Sequence, residues 1–245
     1  MKNHFFCLSV LFLLYGCKGD PGPTGTPLSG NIAGTVGLYD DYQTVYIPDR
    51  VIVSLEGTSF STLSLKDGSW EIAGVPAGIY TIRYSKPGFF TMKNYNVQFV
   101  GGGTLFLDEQ ALGIIPSVVV SYIHVSSVDT TLQINVTGAI SFPSSRYRYI
   151  LTEFSKTPIV KQSDMCFDYQ ISALTDPDSV NFSTYQIIAG NDKIKSGLKS
   201  GDKLYATAFV LPYTWYGFNY NPSTKKYEVN TQGITFSNID SVIVP

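Results

Sequence analysis

Hydrophobic and polar residues alternate along most of this chain with a period of two, the mark of half-buried strands. Val51, Val53 and Leu55 in "RVIVSLEGT" fall on one face, as do Tyr80, Ile82 and Tyr84 in "GIYTIRYS". Earlier, "GNIAGTVGLYDD" alternates Ile32, Gly34 and Val36 with small or polar residues. Trp70 and Ile72 follow Asp67-Gly68, a strong hairpin signal. Pro76-Ala77-Gly78 and Pro87-Gly88 mark the next reversals, and "YNVQFVGGGTLFLDEQ" reads as two short strands about a bend at Gly101 to Gly103. Turn signals recur about every 8–12 residues, and the period of an amphipathic helix is missing from this part. The pattern predicts a β-sandwich over residues 30–115.

Pro116 opens a second stretch of the same kind, residues 116–245. "SVVVSYIHVSS", "TTLQINVTGAI", "RYRYILTEF" and "NFSTYQIIAG" read as strands, with a corner at Val128-Asp129. "GLKSGDKLYATAFVLPYTWYGFNYN" supplies two more, and a final hairpin over "KKYEVNTQGITFSNIDSVIV" follows the turn Asn221-Pro222-Ser223-Thr224. The fold class expected is all-β: two β-sandwich domains in series, the second with about seven strands.

Residues 1–16 depart from this pattern. Lys2 precedes an almost unbroken apolar run from Phe5 to Tyr15, the length of a signal peptide rather than of a spanning helix. Leu14-Tyr15-Gly16-Cys17 resembles the lipobox of bacterial lipoproteins. The resemblance implies cleavage before Cys17 and acylation of its thiol and new amino terminus. An ordinary secretory signal beside an incidental cysteine is the plainer alternative. Several acyl chains make a stable anchor where one is marginal, at about 0.8 kcal/mol per buried methylene. The triplets GDP, GPT and GTP after Cys17 are too few for a collagen helix, so residues 17–29 read as a lipid-attached Pro/Gly tether. Lys18 and Asp20 resemble, incompletely, the export signal of surface lipoproteins of the Bacteroidota. The expected address is the outer membrane, lipid-anchored, at the cell surface.

The strand series carries a second resemblance. Gly34-Thr35-Val36-x-Leu38, Val51-x-Val53-x-Leu55-Glu56-Gly57, Asp67-Gly68-x-Trp70-x-Ile72, Val75-Pro76-x-Gly78-x-Tyr80-x-Ile82 and Lys86-x-Gly88-Phe89 are similar to the carboxypeptidase regulatory-like family. That resemblance implies a transthyretin-like sandwich over 30–115 with stalk or partner duties and no catalysis. The segment "YDDYQTVYIPD" is an insertion relative to that pattern. "LKSGDKLYATAFV" resembles the fibronectin type III corner, which implies a fibronectin- or immunoglobulin-like sandwich over 116–245. Leu198, Gly201 and Tyr205 would play the corner's parts, although Leu204 holds the expected tyrosine place.

Charge and cysteine count narrow the chemistry. The chain has 17 basic and 19 acidic residues, and cleavage after Gly16 removes only Lys2, leaving 16 basic residues and a net charge of −3. So nearly neutral a chain is no candidate for nucleic-acid binding or electrostatic membrane attachment. An aromatic content of 14% against 15% charged residues suits a packed β protein rather than a disordered one. Of three cysteines, Cys7 leaves with the signal and Cys17 takes lipid. Cys166 is then alone, as a buried apolar side chain or a reactive thiol, and forms neither an internal disulfide nor a cysteine metal cluster. His124 is the one histidine beyond the signal. With no nucleophile elbow and no phosphate-binding glycine loop before a helix, the common hydrolase and nucleotide templates fail. A two-carboxylate glycosidase is not testable by spacing. No catalytic residue, metal ligand or cofactor is assigned.

The remaining candidates concern binding. "PYTWYGFNY" packs Tyr213, Trp215, Tyr216, Phe218 and Tyr220 into eight residues. Exposed rings stack on sugar faces, yet Tyr216, Phe218 and Tyr220 have strand spacing and could be core. Tyr213 and Trp215, after Pro212, are the better candidates for exposure, and Tyr213, Trp215 and Tyr216 form the candidate ligand site. Arg146 to Tyr149 reads either as a binding face or as a half-buried strand with its basic side in water. Asp40 and Asp41, and Asp176 and Asp178, lack the further ligands of a calcium loop. Asp129-Thr130-Thr131, Asp178-Ser179-Val180 and Asp240-Ser241-Val242 resemble the O-glycosylation motif of the Bacteroidota. The expected function is non-catalytic binding of a glycan or protein partner through the distal sandwich; the alternative is a structural subunit of an envelope or fimbria-like complex.

Overall fold

The computed structural model describes residues 28–40, 44–128, 133–142, 148–158, 170–173, 178–187, 197–211, 218–229 and 234–244. Among the described residues there are strands and no helix. The all-β expectation holds. In the first half, β1 (Ser29–Tyr39) lies between β8 (Thr104–Gly113), parallel to it, and two antiparallel partners on its other edge, β5 (Ser69–Pro76) and the two-residue β2 (Val45–Tyr46). The facing sheet is antiparallel, in the order β4 (Ser61–Leu63), β3 (Ile52–Leu55), β6 (Gly78–Ser85), β7 (Met92–Phe99).

Register decides which side chains turn inward. Ile32 lies between Ile72 and Leu105, and Val53 between Thr62 and Tyr84. These rows supply much of the first core, with Trp70 and Tyr84 edge to face at 5.7 Å. Full burial of such a side chain is worth about 1.5–3 kcal/mol. The three-glycine bend has a steric cause: a Cβ at Gly101, whose φ is +76°, would lie 2.4 Å from the Leu28 carbonyl oxygen.

Two local expectations change. The Asp67-Gly68 turn forms, with Leu65 N–H donating to the Ser69 carbonyl at 2.8 Å, and Asp67 accepting from the Ser69 amide. It joins β4 to β5, which belong to different sheets, so it is a sheet-crossing turn and not a hairpin. Trp70 and Ile72 are drawn instead against Gly34 and Ile32 of β1, where they reach the core. The short strands β2 and β4 show too little alternation to be seen in the sequence.

In the second half, one sheet orders β13 (Asn181–Ile187), β10 (Gln133–Ile140), β9 (Val120–Val128). The other orders β12 (Gln170–Ala173), β11 (Tyr149–Ser155), β14 (Lys203–Leu211), β17 (Asp240–Ile243). The second half is thus a three-on-four β-sandwich. Ile150, Phe154, Ala206, Ala208 and Val210 meet Ile123, Val125, Ile134 and Val136 in its core. The corner differs from expectation. Leu198 is buried and Gly201 turns with a φ of +89°, but Leu204, fully buried, takes the inward place. Tyr205 faces the other way, opposite Ser155 and Ser241, with Lys203 Nζ 5.1 Å from its ring centroid.

The expected final hairpin is also redrawn. β15 (Phe218–Asn221) and β16 (Lys226–Val229) pair across the Asn221–Lys225 turn, while β17 returns to β14. The hairpin thus lies between the last two strands of the second sandwich and reaches the first. Asn219 is its anchor: Oδ1 accepts the Lys93 amide, and Nδ2 donates to the carbonyls of Thr91 and Glu228 at 3.5 Å each. Tyr95 OH donates to Glu228 at 2.7 Å, which, after burial, raises the phenol above its ordinary range. A third apolar cluster joins the halves, in which Phe90, Leu151, Phe209, Leu211 and Val229 are buried and Ile115, Ile234 and Phe236 pack on them.

Candidate functional site

The register that sends Ile32, Ile72 and Leu105 inward sends Ala33, Glu71 and Phe106 outward. These three share the outer face of the first sheet, where Phe106 is 78% exposed. Beside them the β4 edge and the following turn bring up Leu63 and Leu65, both exposed. The result is a groove of about 540 Å³. Gly34 lies at its floor against Trp70: a Cβ there would stand 3.0 Å from the indole Cζ2, so a side chain would displace the ring. The polar rim carries the hydroxyls of Thr35, Thr62 and Ser69 and the Glu71 carboxylate, whose Oε1 accepts Asn31 Nδ2 at 2.6 Å. An exposed ring flanked by hydroxyls and a carboxylate suits a ligand with an apolar face and hydroxyl edges.

None of the candidate residues from the sequence that the structure describes lines this groove. Cys17, Asp41, Arg146, Cys166, Asp176, Tyr213, Trp215 and Tyr216 lie outside the described residues, as does Asp129-Thr130-Thr131. Of the aromatic run, Tyr220 is half exposed on β15, which decides between the two readings of that ring against the core. Arg148 is 5% exposed, so this arginine is not on the watery side of a strand. Tyr149, its neighbour, packs on the cluster between the halves. Asp40 closes its own loop, accepting the Thr44 amide at 2.8 Å. Ser179 Oγ donates to the Asn181 carbonyl at 3.1 Å, beside exposed Asp178.

His124 and Asp240 meet at 3.0 Å, but Asp240 also accepts the Val125 amide at 2.9 Å and the Ser241 amide at 2.7 Å. Although partial burial opposes it, these hydrogen bonds hold the Asp240 carboxyl below its ordinary value. With Asn238, which accepts the Ile123 amide at 2.8 Å and donates to its carbonyl at 3.1 Å, Asp240 covers the open backbone of β9. The pair closes an edge, a common defence against strand pairing. Glu153 is 2% exposed, and burial pushes its carboxyl up to about 7. Among the described residues no group of three metal-ligating side chains assembles.

Phe106 was missed because it sits inside the apolar run Leu105-Phe106-Leu107. The signal was present: strict alternation places the middle residue of such a run on the opposite face from its neighbours.

No protein-family model matches this chain, and no curated protein matches it. Solved structures with similar strand arrangements include a candidate carbohydrate-binding protein from Bacteroides uniformis, at 14% identity and TM-score 0.34, covering 88% of this chain and 99% of that one. A DUF3823 family protein from Bacteroides ovatus shows 12% identity and TM-score 0.33, covering 89% and 100%. A type II cohesin–X-dockerin complex from Acetivibrio cellulolyticus shows 21% identity and TM-score 0.31 over 35% of this chain, which spans 58% of that structure's chain. Likeness this distant carries no argument about what the chain binds.

Proposed function

We propose that this protein is a non-catalytic glycan-binding lipoprotein of the outer membrane, held through lipid on Cys17 with its sandwiches facing outward. The observation that carries the binding role is the outward Phe106, with hydroxyls and a carboxylate around it and Trp70 beneath Gly34. Phe106, Leu63 and Leu65 are exposed and line one groove, and an exposed apolar patch rimmed by polar groups marks a surface that a ligand covers. A pyranose does so, with its apolar C–H face on the ring and its hydroxyls on Thr35, Ser69 and Glu71. The His124–Asp240 pair has structural employment instead, at the β9 edge. The regulatory-like reading of residues 30–115 belongs to this proposal, with the binding face on that half and not on the distal one. Tyr213, Trp215 and Tyr216 are kept as a rival site.

A glycan array probed with the purified chain, followed by calorimetry on its best ligand, tests this. Phe106→Ala should weaken binding at least tenfold, and the double change Tyr213→Ala, Trp215→Ala should leave it intact. The reverse result moves the site to the distal sandwich. Capture of no glycan by the wild-type chain sinks the reading in favour of an envelope scaffold. Protease treatment of intact cells, with a periplasmic control protein, tests the address: outward sandwiches are degraded, inward ones are not.

A further inference from the structure

The outer face of the second sheet of the first sandwich has a different chemistry. Its register rows are Ile52 with Ser85, and Ser54 with Arg83 and then Lys93. Lys93 is neutralised by Glu56 at 2.8 Å. Arg83 pairs with no carboxylate among the described residues and is only partly exposed. One residue past the end of β6, Lys86 donates to the Asp49 carbonyl at 2.5 Å, leaving further ammonium protons for another acceptor. The crossing to the second half closes the space from the side. Ile115 N–H donates to the Gly88 carbonyl at 2.9 Å, and Phe90 N–H to the Gly113 carbonyl at 2.8 Å. A pocket of about 350 Å³ results, walled by Ile52, Phe89 and Ile115, with Arg83, Lys86 and Thr91 as polar groups and no acidic lining residue.

We propose that this pocket binds the carboxylate-bearing ring of an acidic sugar, a hexuronate. Two cations without an acid favour an anion, and the planar guanidinium fork of Arg83 matches a carboxylate through two parallel hydrogen bonds. The half-buried setting strengthens that attraction relative to open water. The apolar walls suit a ring face rather than a bare ion, and the volume falls in the lower range of small-molecule sites. Ser85 and Thr91 also line the pocket and carry hydroxyls. This site is separate from the Phe106 groove and stands whether or not that groove takes a glycan.

The test is titration of the purified full chain with galacturonate and glucuronate, followed by calorimetry and amide chemical shifts. Galactose, glucose and acetate serve as comparisons. The uronate should bind at least tenfold more tightly than its neutral parent and than acetate. Arg83→Gln should lose at least tenfold in affinity, Lys86→Gln somewhat less, and Phe106→Ala nothing. Shifts should centre on Arg83 to Thr91. Lys86→Gln, on the surface, keeps the test open if Arg83→Gln fails to fold. Unchanged affinity in both cation variants, or equal binding of the neutral sugar, would overturn the proposal. So would acetate binding as tightly as the uronate, which would reduce the site to a bare anion contact.

Discussion

Two sheets in this protein carry large apolar side chains on the face turned away from their own core, and they meet opposite fates. On β11 and β14 the cross-strand pairs Tyr149–Leu211, Leu151–Phe209 and Glu153–Thr207 share the outer face. There Leu151, Phe209 and Leu211 are sealed by Phe90, Val229, Ile234 and Phe236, which come from the first half, the hairpin and the return to β17. On β1, β5 and β8 the outer row is Ala33, Glu71 and Phe106, and Phe106 remains 78% exposed. The covered face has become a joint between the halves. The uncovered one is the face on which the glycan proposal rests. Apolar residues on an outer face therefore do not reveal by themselves whether the chain covers them; the tertiary structure does.

The largest expected effect breaks the covered face. Phe209 is fully buried and meets Phe236 edge to face at 5.0 Å. Phe209→Ala should cost about 3–5 kcal/mol, from lost burial and the cavity left behind. Urea unfolding monitored by tryptophan fluorescence would read it. A loss below 1 kcal/mol would mean the joint is not packed as described.

Glu153 lies in the same outer row, and its titration sharpens the contrast between covered and open. Burial raises its carboxyl from 4.5 to about 7. The folded chain then holds this proton more tightly than the unfolded chain. The stability it contributes is whole below about pH 4.5 and is lost as pH rises to about 7, a change on the order of 3 kcal/mol. Glu153→Gln should flatten the unfolding free energy over that window. A wild-type protein whose stability does not fall between pH 5 and 7.5, relative to this variant, would show that Glu153 is open to water.

Much of this was legible in the sequence, and what was not has a physical reason. Alternation revealed Val51, Val53 and Leu55, and Ile82 and Tyr84, because each strand there has one wet face and one dry one. It was silent on the two-residue β2, where there is no period to read. The run Ala206 to Leu211, "ATAFVL", is apolar on both faces, and such a run marks a strand buried on both sides. That was the sequence's hint of the joint. The hairpin was misassigned because its pairing depends on side chains far away in sequence: Asn219 is selected by Thr91 and Lys93, which no local pattern reveals. The Arg83 pocket is similarly distant, built from a strand row and a crossing over thirty residues apart.

The hairpin offers an intermediate effect. Asn219 is 5% exposed and satisfies backbone groups of Lys93, Thr91 and Glu228. Asn219→Ala should cost about 1–2 kcal/mol, since it strands buried donors and acceptors. It should also speed hydrogen exchange at the Lys93 amide while leaving the Ile134 amide protected. Equal acceleration at both amides would mean that the hairpin supports the whole fold rather than the joint.

The smallest effect on stability belongs to the open face, and that smallness is the argument. An exposed side chain of a folded protein contributes little to the folded state, so Phe106→Ala should shift the unfolding free energy by no more than about 0.5 kcal/mol. Phe209→Ala should cost several times as much, although both remove the same ring from the outer face of a sheet. A residue that barely supports the fold yet carries a large apolar ring into water is unfavourable to solubility without compensation in stability. The glycan reading supplies the compensation, since the same variant should then lose at least tenfold in ligand affinity. Should Phe106→Ala instead destabilise the chain by 2 kcal/mol or more, the ring is covered in solution. Segments of this chain would then close the first sheet as they close the second, and the groove would be a second joint rather than a site.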